Sequence, residues 1–263
     1  MLRVAEGIGR GVVRGVEEIG FAGALFLESL LWAVAGPARR QPVRLSAVFA
    51  QMMQIGIEAL PIATVLAAAI GMMLAIQSLY SLGLFGAESF ATVGIALSVV
   101  REFAPLIIGI LIAGRSGSAL AARFSTMTIN QEVDALRVIG VSPVRFLVAP
   151  ALIAMMVVVP CLTMWANLVA LTAAGFLVSS ALGISLGAYA ADAVAVLSVN
   201  DLAHGLGKSV LFAALVALVS TVNGALADGG AEGVGRRTTR AVVHSIAAII
   251  MVDMIFAFVV TSG

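Results

Sequence analysis

Four charged residues stand inside or beside long apolar runs of this chain: Arg101 and Glu102 in Arg-Glu-Phe-Ala-Pro, Lys208 in Gly-Leu-Gly-Lys-Ser, and Asp253 near the carboxyl end. In a bilayer such a charge costs at least ~2.5 kcal/mol unless it is paired or solvated, so these groups should face a cavity or one another. Arg101 and Glu102 can form a structural ion pair, and Lys208 can snorkel on its long stem. Taken together, the four also have the composition of an ion-coupling path. On the last apolar run Arg237, Arg240 and His244 fall on one helix face, and the two arginines read as cytoplasmic anchors.

Other patterns that could carry chemistry fail on context. Gly205-Leu206-Gly207-Lys208-Ser209 ends like a phosphate-binding loop, but Leu202 stands where the first Gly is needed and no strand precedes it. The chain is therefore expected to bind no ATP and to need no cofactor of its own. Gly183-Ile184-Ser185-Leu186-Gly187 fits a nucleophile elbow without triad partners or a strand-turn-helix setting, so no catalytic residue is assigned. His204 and His244 are the only histidines and Cys161 the only cysteine, which leaves no expected metal site and no intrachain disulfide.

The elements that must position these residues follow from composition. Of 263 residues 61% are hydrophobic and 11% charged, with a mean hydropathy of +1.12, which excludes a soluble globular domain. A net charge of +1 and only two Tyr and two Trp give no footprint for nucleic acid. Five apolar runs, about 55–80, 92–114, 146–178, 208–227 and 241–261, are long enough to cross a bilayer. They lack period-two alternation and read as helices, since backbone amides in lipid must be satisfied within the segment. The third is too long for one perpendicular crossing and must tilt, kink near Pro150 or Pro160, or project.

Arg3, Arg10, Arg14, Arg39, Arg40 and Arg44 precede the first run; Arg115, Arg123, Arg137 and Arg145 lie between the second and third; Arg236, Arg237 and Arg240 precede the fifth. The alternate connections, 81–91 and 181–203, read as loops and carry no Arg or Lys. This asymmetry predicts a cytoplasmic amino terminus and a carboxyl tail on the opposite side. The stretch Ile19–Ala35 is apolar but short and interrupted by Glu28, and reads as an interfacial amphipathic helix. A sixth span is the alternative, and Ala33-Val34-Ala35 also has the form of a signal cleavage site.

Between the second and third runs, Thr128–Gly140 reads as a short amphipathic cytoplasmic helix. Ile129, Val133, Leu136 and Ile139 share one face, Glu132, Asp134 and Arg137 lie elsewhere, and Gly140 terminates it. In a chain with no ATP site such a knob suits docking to a cytosolic motor subunit, with an interfacial helix on lipid head groups as the other reading. Gly109, Ala113, Gly117 and Ala121 form a smooth stripe for close packing, in this chain or against a second copy.

Several segments together resemble the MlaE/YrbE permeases: Phe85-Gly86-Ala87-Glu88, the Leu97–Pro105 run, Ala113-Gly114-Arg115-Ser116-Gly117-Ser118-Ala119, Asp134-Ala135-Leu136 with Gly140 and Pro143, Lys208-Ser209, and Gly229 through Val243. The last stretch, Gly-Gly-Ala-Glu-Gly-Val-Gly-Arg-Arg-Thr-Thr-Arg-Ala-Val-Val, is the most specific, and the resemblance covers about residues 45–260. It implies a homodimeric permease of an ABC-type transporter that moves phospholipid between the inner membrane and the cell envelope to maintain outer-membrane lipid asymmetry. The implied partners are an ABC ATPase subunit that binds the ATP, a periplasmic MCE-domain protein and a STAS-domain protein. Carried over by position, the resemblance implies a lipid pocket at Leu74, Gln77, Ser78, Ser81, Leu82 and Phe85, with Arg101 and Glu102 nearby, and an ATPase contact through Gln131, Glu132, Asp134, Leu136 and Arg137. Two departures stand out: Arg123 replaces a common carboxylate, and Gln131-Glu132 reverses the usual Glu-Gln order.

The expectation is thus an all-α integral membrane protein of the bacterial inner membrane. It has five spans, an amino-terminal interfacial segment at 1–44, and a permease domain at 45–263 that holds the coupling helix. It is a non-catalytic transporter subunit, and the competing reading is a motor-independent secondary transporter or channel.

Overall fold

The computed structural model describes the backbone of residues 2–35 and 43–262 and the side chains of 13, 15–32 and 43–259. Arg3, Arg10, Arg14, Arg39, Arg40 and the Ala33-Val34-Ala35 site fall outside the described side chains. Every regular element among the described residues is helical: α1 (Leu2–Ala35), α2 (Leu45–Gly83), α3 (Ala91–Ser98), α4 (Ala104–Ile112), α5 (Ser118–Ile129), α6 (Glu132–Val138), α7 (Ala149–Leu182), α8 (Leu186–Val196), α9 (Val199–Ala225) and α10 (Gly230–Ser262). Five helical stretches are long and apolar enough to cross a membrane: Leu45–Gly83, Glu88–Ile129, Val144–Leu182, Val199–Ala225 and Gly230–Val259.

Each stretch covers most of one of the five expected runs and begins before it, because polar residues at the start stay helical. The fourth begins at Val199 rather than 208, and a capping box explains why. Ser198 Oγ accepts the Asp201 amide at 3.2 Å, while the Asp201 carboxylate accepts the Ser198 amide at 2.9 Å.

The second stretch is built from a 3₁₀ turn (Glu88–Phe90), α3, a π turn (Val99–Phe103), α4, a second π turn (Ala113–Gly117) and α5. The first π turn sits just before Pro105, which has no N–H to return to the preceding turn, and the wider turn absorbs that gap. A third π turn, Val144–Val148, stands likewise before Pro150 and leads into α7, which carries Pro160 inside a continuous helix. Connection 181–203, expected as a loop, holds α8, an 11-residue helix.

By contacts the chain forms two compact units. The first comprises 1–51, 113–154 and 215–245. Within it α1 is one helix from Leu2, so the expected element at Ile19–Ala35 is only its second half. It is tied down by its acids: Glu18 accepts two hydrogen bonds from Arg240 at 2.9 and 3.1 Å, and Glu28 accepts from Ser142 Oγ at 3.2 Å. Arg145 stacks over the Trp32 ring at 5.4 Å. Val16, Ile19, Leu27 and Leu31 leave an exposed apolar face.

The second unit comprises 52–112, 155–214 and 246–263. Its centre is a pair of small-residue stripes at four-residue spacing. Ala59, Ala63, Ala67, Gly71 and Ala75 on α2 are buried, as are Ala166, Ala170 and Ala174 on α7. Lipid tails are as apolar as leucine, so such helices associate through close backbone packing rather than hydrophobic exclusion. A Cβ at Gly71 would stand 2.1 Å from the Ala170 carbonyl oxygen, which shows how close the two backbones run. Trp165 Nε1 donates to Thr64 Oγ1 at 2.8 Å across the same seam.

The Gly109–Ala121 stripe also packs within the chain. Gly109 meets Phe212 and Ile249 in the second unit, and Ala121 faces Gly224 in the first.

Candidate functional site

The π turn Val99–Phe103 puts Arg101 and Glu102 on the helix wall of the second unit, and both find partners on α9 rather than on each other. Arg101 Nη1 lies 3.6 Å from Asp201 Oδ1. Lys208 Nζ pairs with Glu102 Oε2, and with Asp253 Oδ1 of α10 at 2.9 Å. Lys208 does not snorkel. It is 0% exposed, whereas Asp253 and Glu102 are 19% and 40% exposed, so the ammonium is the sealed floor of a cluster whose carboxylates are partly open. Because α9 approaches so closely, its backbone contact must be glycine: a Cβ at Gly205 would sit 2.2 Å from the Val100 carbonyl oxygen. The apparent phosphate-binding loop is therefore helix packing plus a buried cation.

Phe256 closes the cluster, its ring 5.7 Å from Lys208 Nζ and edge-on to His204 at 4.8 Å. Neither His204 ring nitrogen has a hydrogen-bond partner among the described residues. Asp201, His204 and Phe256 were not expected here. Ser-x-x-Asp at 198–201 was legible as a helix start, which would have put Asp201 and His204 on the same element as Lys208.

Leu74, Gln77, Ser78, Ser81 and Leu82 occupy the last turns of α2, and Gln77 Nε2 donates to Ser81 Oγ at 3.3 Å. Phe85 follows in the turn and is 84% exposed. Gly86, at φ +64°, ends the helix: its amide reaches the Gly83 carbonyl and that of Ala87 reaches Leu82, a Schellman closure. Among the described residues no hydrogen bond or ion pair links this group to Arg101 or Glu102.

The expected helix at Thr128–Gly140 is shorter and broken from its predecessor. Thr128 and Ile129 belong to α5, Asn130 and Gln131 make the corner, and Gln131 takes φ +61°, an unusual left-handed conformation for a side-chain-bearing residue. The remainder, α6, ends in a second Schellman closure at Gly140, as its position predicted. Glu132, Asp134 and Arg137 are exposed, with Asp134 and Arg137 paired at 3.0 Å, and Asn130 donates to Glu132 at 3.3 Å. Val133 and Leu136 are half-buried, but Ile139, expected on the same face, is 71% exposed because the helix has stopped before it. Val133, Asp134 and Arg137 line a 260 Å³ cavity with Phe21, Phe124 and Val148, all in the first unit.

The comparisons with known proteins bear on this geometry. The family described as Permease MlaE matches residues 48–259. This chain belongs to that family. A protein of Rickettsia typhi named "Probable ABC transporter permease protein" is 31% identical over 252 residues, 95% of each chain. One of Synechocystis with the same description is 33% identical over 214 residues, 81% of each. Protein TRIGALACTOSYLDIACYLGLYCEROL 1, chloroplastic, of Arabidopsis thaliana is 32% identical over 207 residues, 79% of this chain and 59% of that one.

As an MlaE-family ABC transporter permease the chain is a multi-pass membrane subunit that works with a partner ATPase. In this permease Ser185, the serine of the elbow-like pattern, caps α8: its Oγ accepts the Ala188 amide at 3.1 Å after Gly183 turns at φ +69°. On α8, Tyr189 packs its ring against Gly175 of α7, and burial pushes its phenol pKa up to about 12. Ser185→Ala should cost about 1 kcal/mol through the lost cap, read as a small drop in melting temperature, with transporter activity retained. Loss of activity at unchanged stability would return the serine to candidate chemistry.

Proposed function

We propose that this permease moves phospholipid between the bacterial inner membrane and the cell envelope, maintaining outer-membrane lipid asymmetry, as half of a homodimer driven by a separate ATPase. The amino terminus is cytoplasmic and the carboxyl terminus periplasmic, in line with the arginine asymmetry. An MCE-domain protein is the periplasmic partner and a STAS-domain protein an accessory on the ATPase, which holds the ATP. The permease domain is 45–263. The glycolipid in the name of the Arabidopsis relative supports a lipid cargo.

The observation that carries the reading is α6, a short helix with three exposed charges beside a cavity and held by a sharp corner at Gln131. A partner gripping Gln131, Glu132, Asp134 and Arg137 turns a rigid lever, and Val133 and Leu136 pass the rotation to the elements beneath. For the cargo, Arg101 and Glu102 supply polar groups for a head group. Leu74, Leu82 and Phe85 supply an apolar wall, with Gln77, Ser78 and Ser81 as polar groups beside it.

Reversing charge at Glu132 or Asp134 to Lys should lower lipid-stimulated ATP turnover of the assembled complex roughly fivefold, the equivalent of about 1 kcal/mol in coupling. Unchanged turnover would overturn the docking assignment. The sealed Lys208 between two carboxylates favours a second reading, ion-coupled transport without a motor. Lipid transport by the purified chain alone, dependent on an ion gradient, would establish it.

A further inference from the structure

A 240 Å³ cavity in the first unit has Arg44 and Arg123 as its charged lining residues and no carboxylate, with Phe124, Phe146 and Leu147 as apolar walls. Neither arginine makes an ion pair among the described residues. The Arg44 guanidinium lies over the Phe146 ring at 5.2 Å, which holds it at the cavity wall. By contrast, the 500 Å³ cavity near Arg237 and Arg240 is also lined by Glu17, Glu18 and Asp228, so its charges offset one another.

We infer that the Arg44–Arg123 cavity binds the phosphoryl head group of an anionic phospholipid. Two guanidiniums with no ion-pair partner among the described residues call for an anion, and their planar donor forks match phosphate oxygens. The volume is below the about 300–1,000 Å³ of pockets that enclose a whole drug-sized ligand, so it takes a head group and leaves the tails outside. The tails have a place: Leu45 and Phe49 are 69% and 62% exposed, one turn apart on α2, the helix whose first turns supply Ser46, Ala47 and Gln51 to the cavity. A soluble phosphate would have no use for that stripe. The site shares no residue with the Lys208 cluster, and the inference holds whatever the transporter carries.

The full chain in nanodiscs containing a photoactivatable phosphatidylglycerol should form adducts in the peptides carrying residues 120–124 and 146–147. Juxtamembrane arginines contribute about fivefold each to anionic-lipid binding, so R44Q/R123Q should reduce these adducts roughly 25-fold, while R44K/R123K, which keeps both charges but loses the planar forks, should reduce them less. A phosphatidylcholine probe should label the same peptides weakly. Equal labelling of wild type and R44Q/R123Q would overturn the inference. So would thermal stabilisation of the wild type by inorganic phosphate alone that matches phosphatidylglycerol and is lost in R44Q/R123Q, which would assign the cavity to a soluble anion. Unchanged lipid labelling with loss of the copurifying ATPase would reassign the arginines to a carboxylate of that partner, and would also overturn it.

Discussion

Lys208→Met is expected to destabilise the permease by about 3 kcal/mol and to reduce lipid-stimulated turnover of the complex sharply. Removing one member of a buried ion pair costs roughly 3–5 kcal/mol, because the partner charge is left without compensation. Here the lower end applies, since Glu102 is 40% exposed and so only partly desolvated by the protein, while Asp253 at 19% is more enclosed. Methionine matches the aliphatic stem of lysine, so the loss is electrostatic rather than a packing void. The triple variant K208M/E102Q/D253N separates structure from function. With no net charge left to bury, it should recover most of the melting temperature lost by K208M. If turnover returns with stability, the cluster is structural cement; if stability returns and turnover does not, the charges act on the cargo. A K208M protein as stable as wild type in detergent would show that the ammonium is not sealed as described.

Gly71→Ala and Gly205→Ala should each cost at least 3 kcal/mol, the upper range for forcing atoms into a packed interior. In both, the added methyl meets a backbone carbonyl, at 2.1 Å from Ala170 and 2.2 Å from Val100, and a main chain inside a helix cannot rotate aside as a side chain can. Gly94→Ala is the matched control. Nothing lies within 4 Å of a Cβ there, and alanine is the better helix former by about 1 kcal/mol, so this variant should equal or exceed wild type in melting temperature. If G71A and G205A unfold at the temperature of G94A, the close approaches of α2 to α7 and of α9 to the Val99–Phe103 turn are wrong.

The two glycine seams mark where reading the chain stops short of seeing it folded. The Gly109–Ala121 stripe was visible as a spacing, but its partner was not, because a smooth face fits any other smooth face equally well. Only the packed helices show it meeting Phe212, Ile249 and Gly224 of the same chain. The larger seam between α2 and α7 was hidden by abundance: in a chain this rich in alanine, buried and lipid-facing alanines look alike.

Helix ends behaved similarly. Hydropathy locates the apolar middle of a span, but caps decide where it starts. The Ser198–Asp201 box, rather than the loss of hydrophobicity, sets the beginning of α9. At α6 the apolar period ran on to Ile139, whereas the left-handed Gln131 and Gly140 confined the helix to seven residues.

From the residues alone came the class of protein, the number of spans and the family, together with the suspicion that Arg101, Glu102, Lys208 and Asp253 could not be facing lipid. These follow from local quantities: how long an apolar run must be to cross a bilayer, what an unpaired charge costs there, and which motifs occur in which order. Which charge meets which was decided by the tertiary structure. Arg101 and Glu102 are neighbours in sequence yet pair outward, to Asp201 and to Lys208, because a π turn redirects their side chains and a glycine on α9 lets the two helices touch. Electrostatic pairing depends on distances across helices, and no one-dimensional pattern carries those distances.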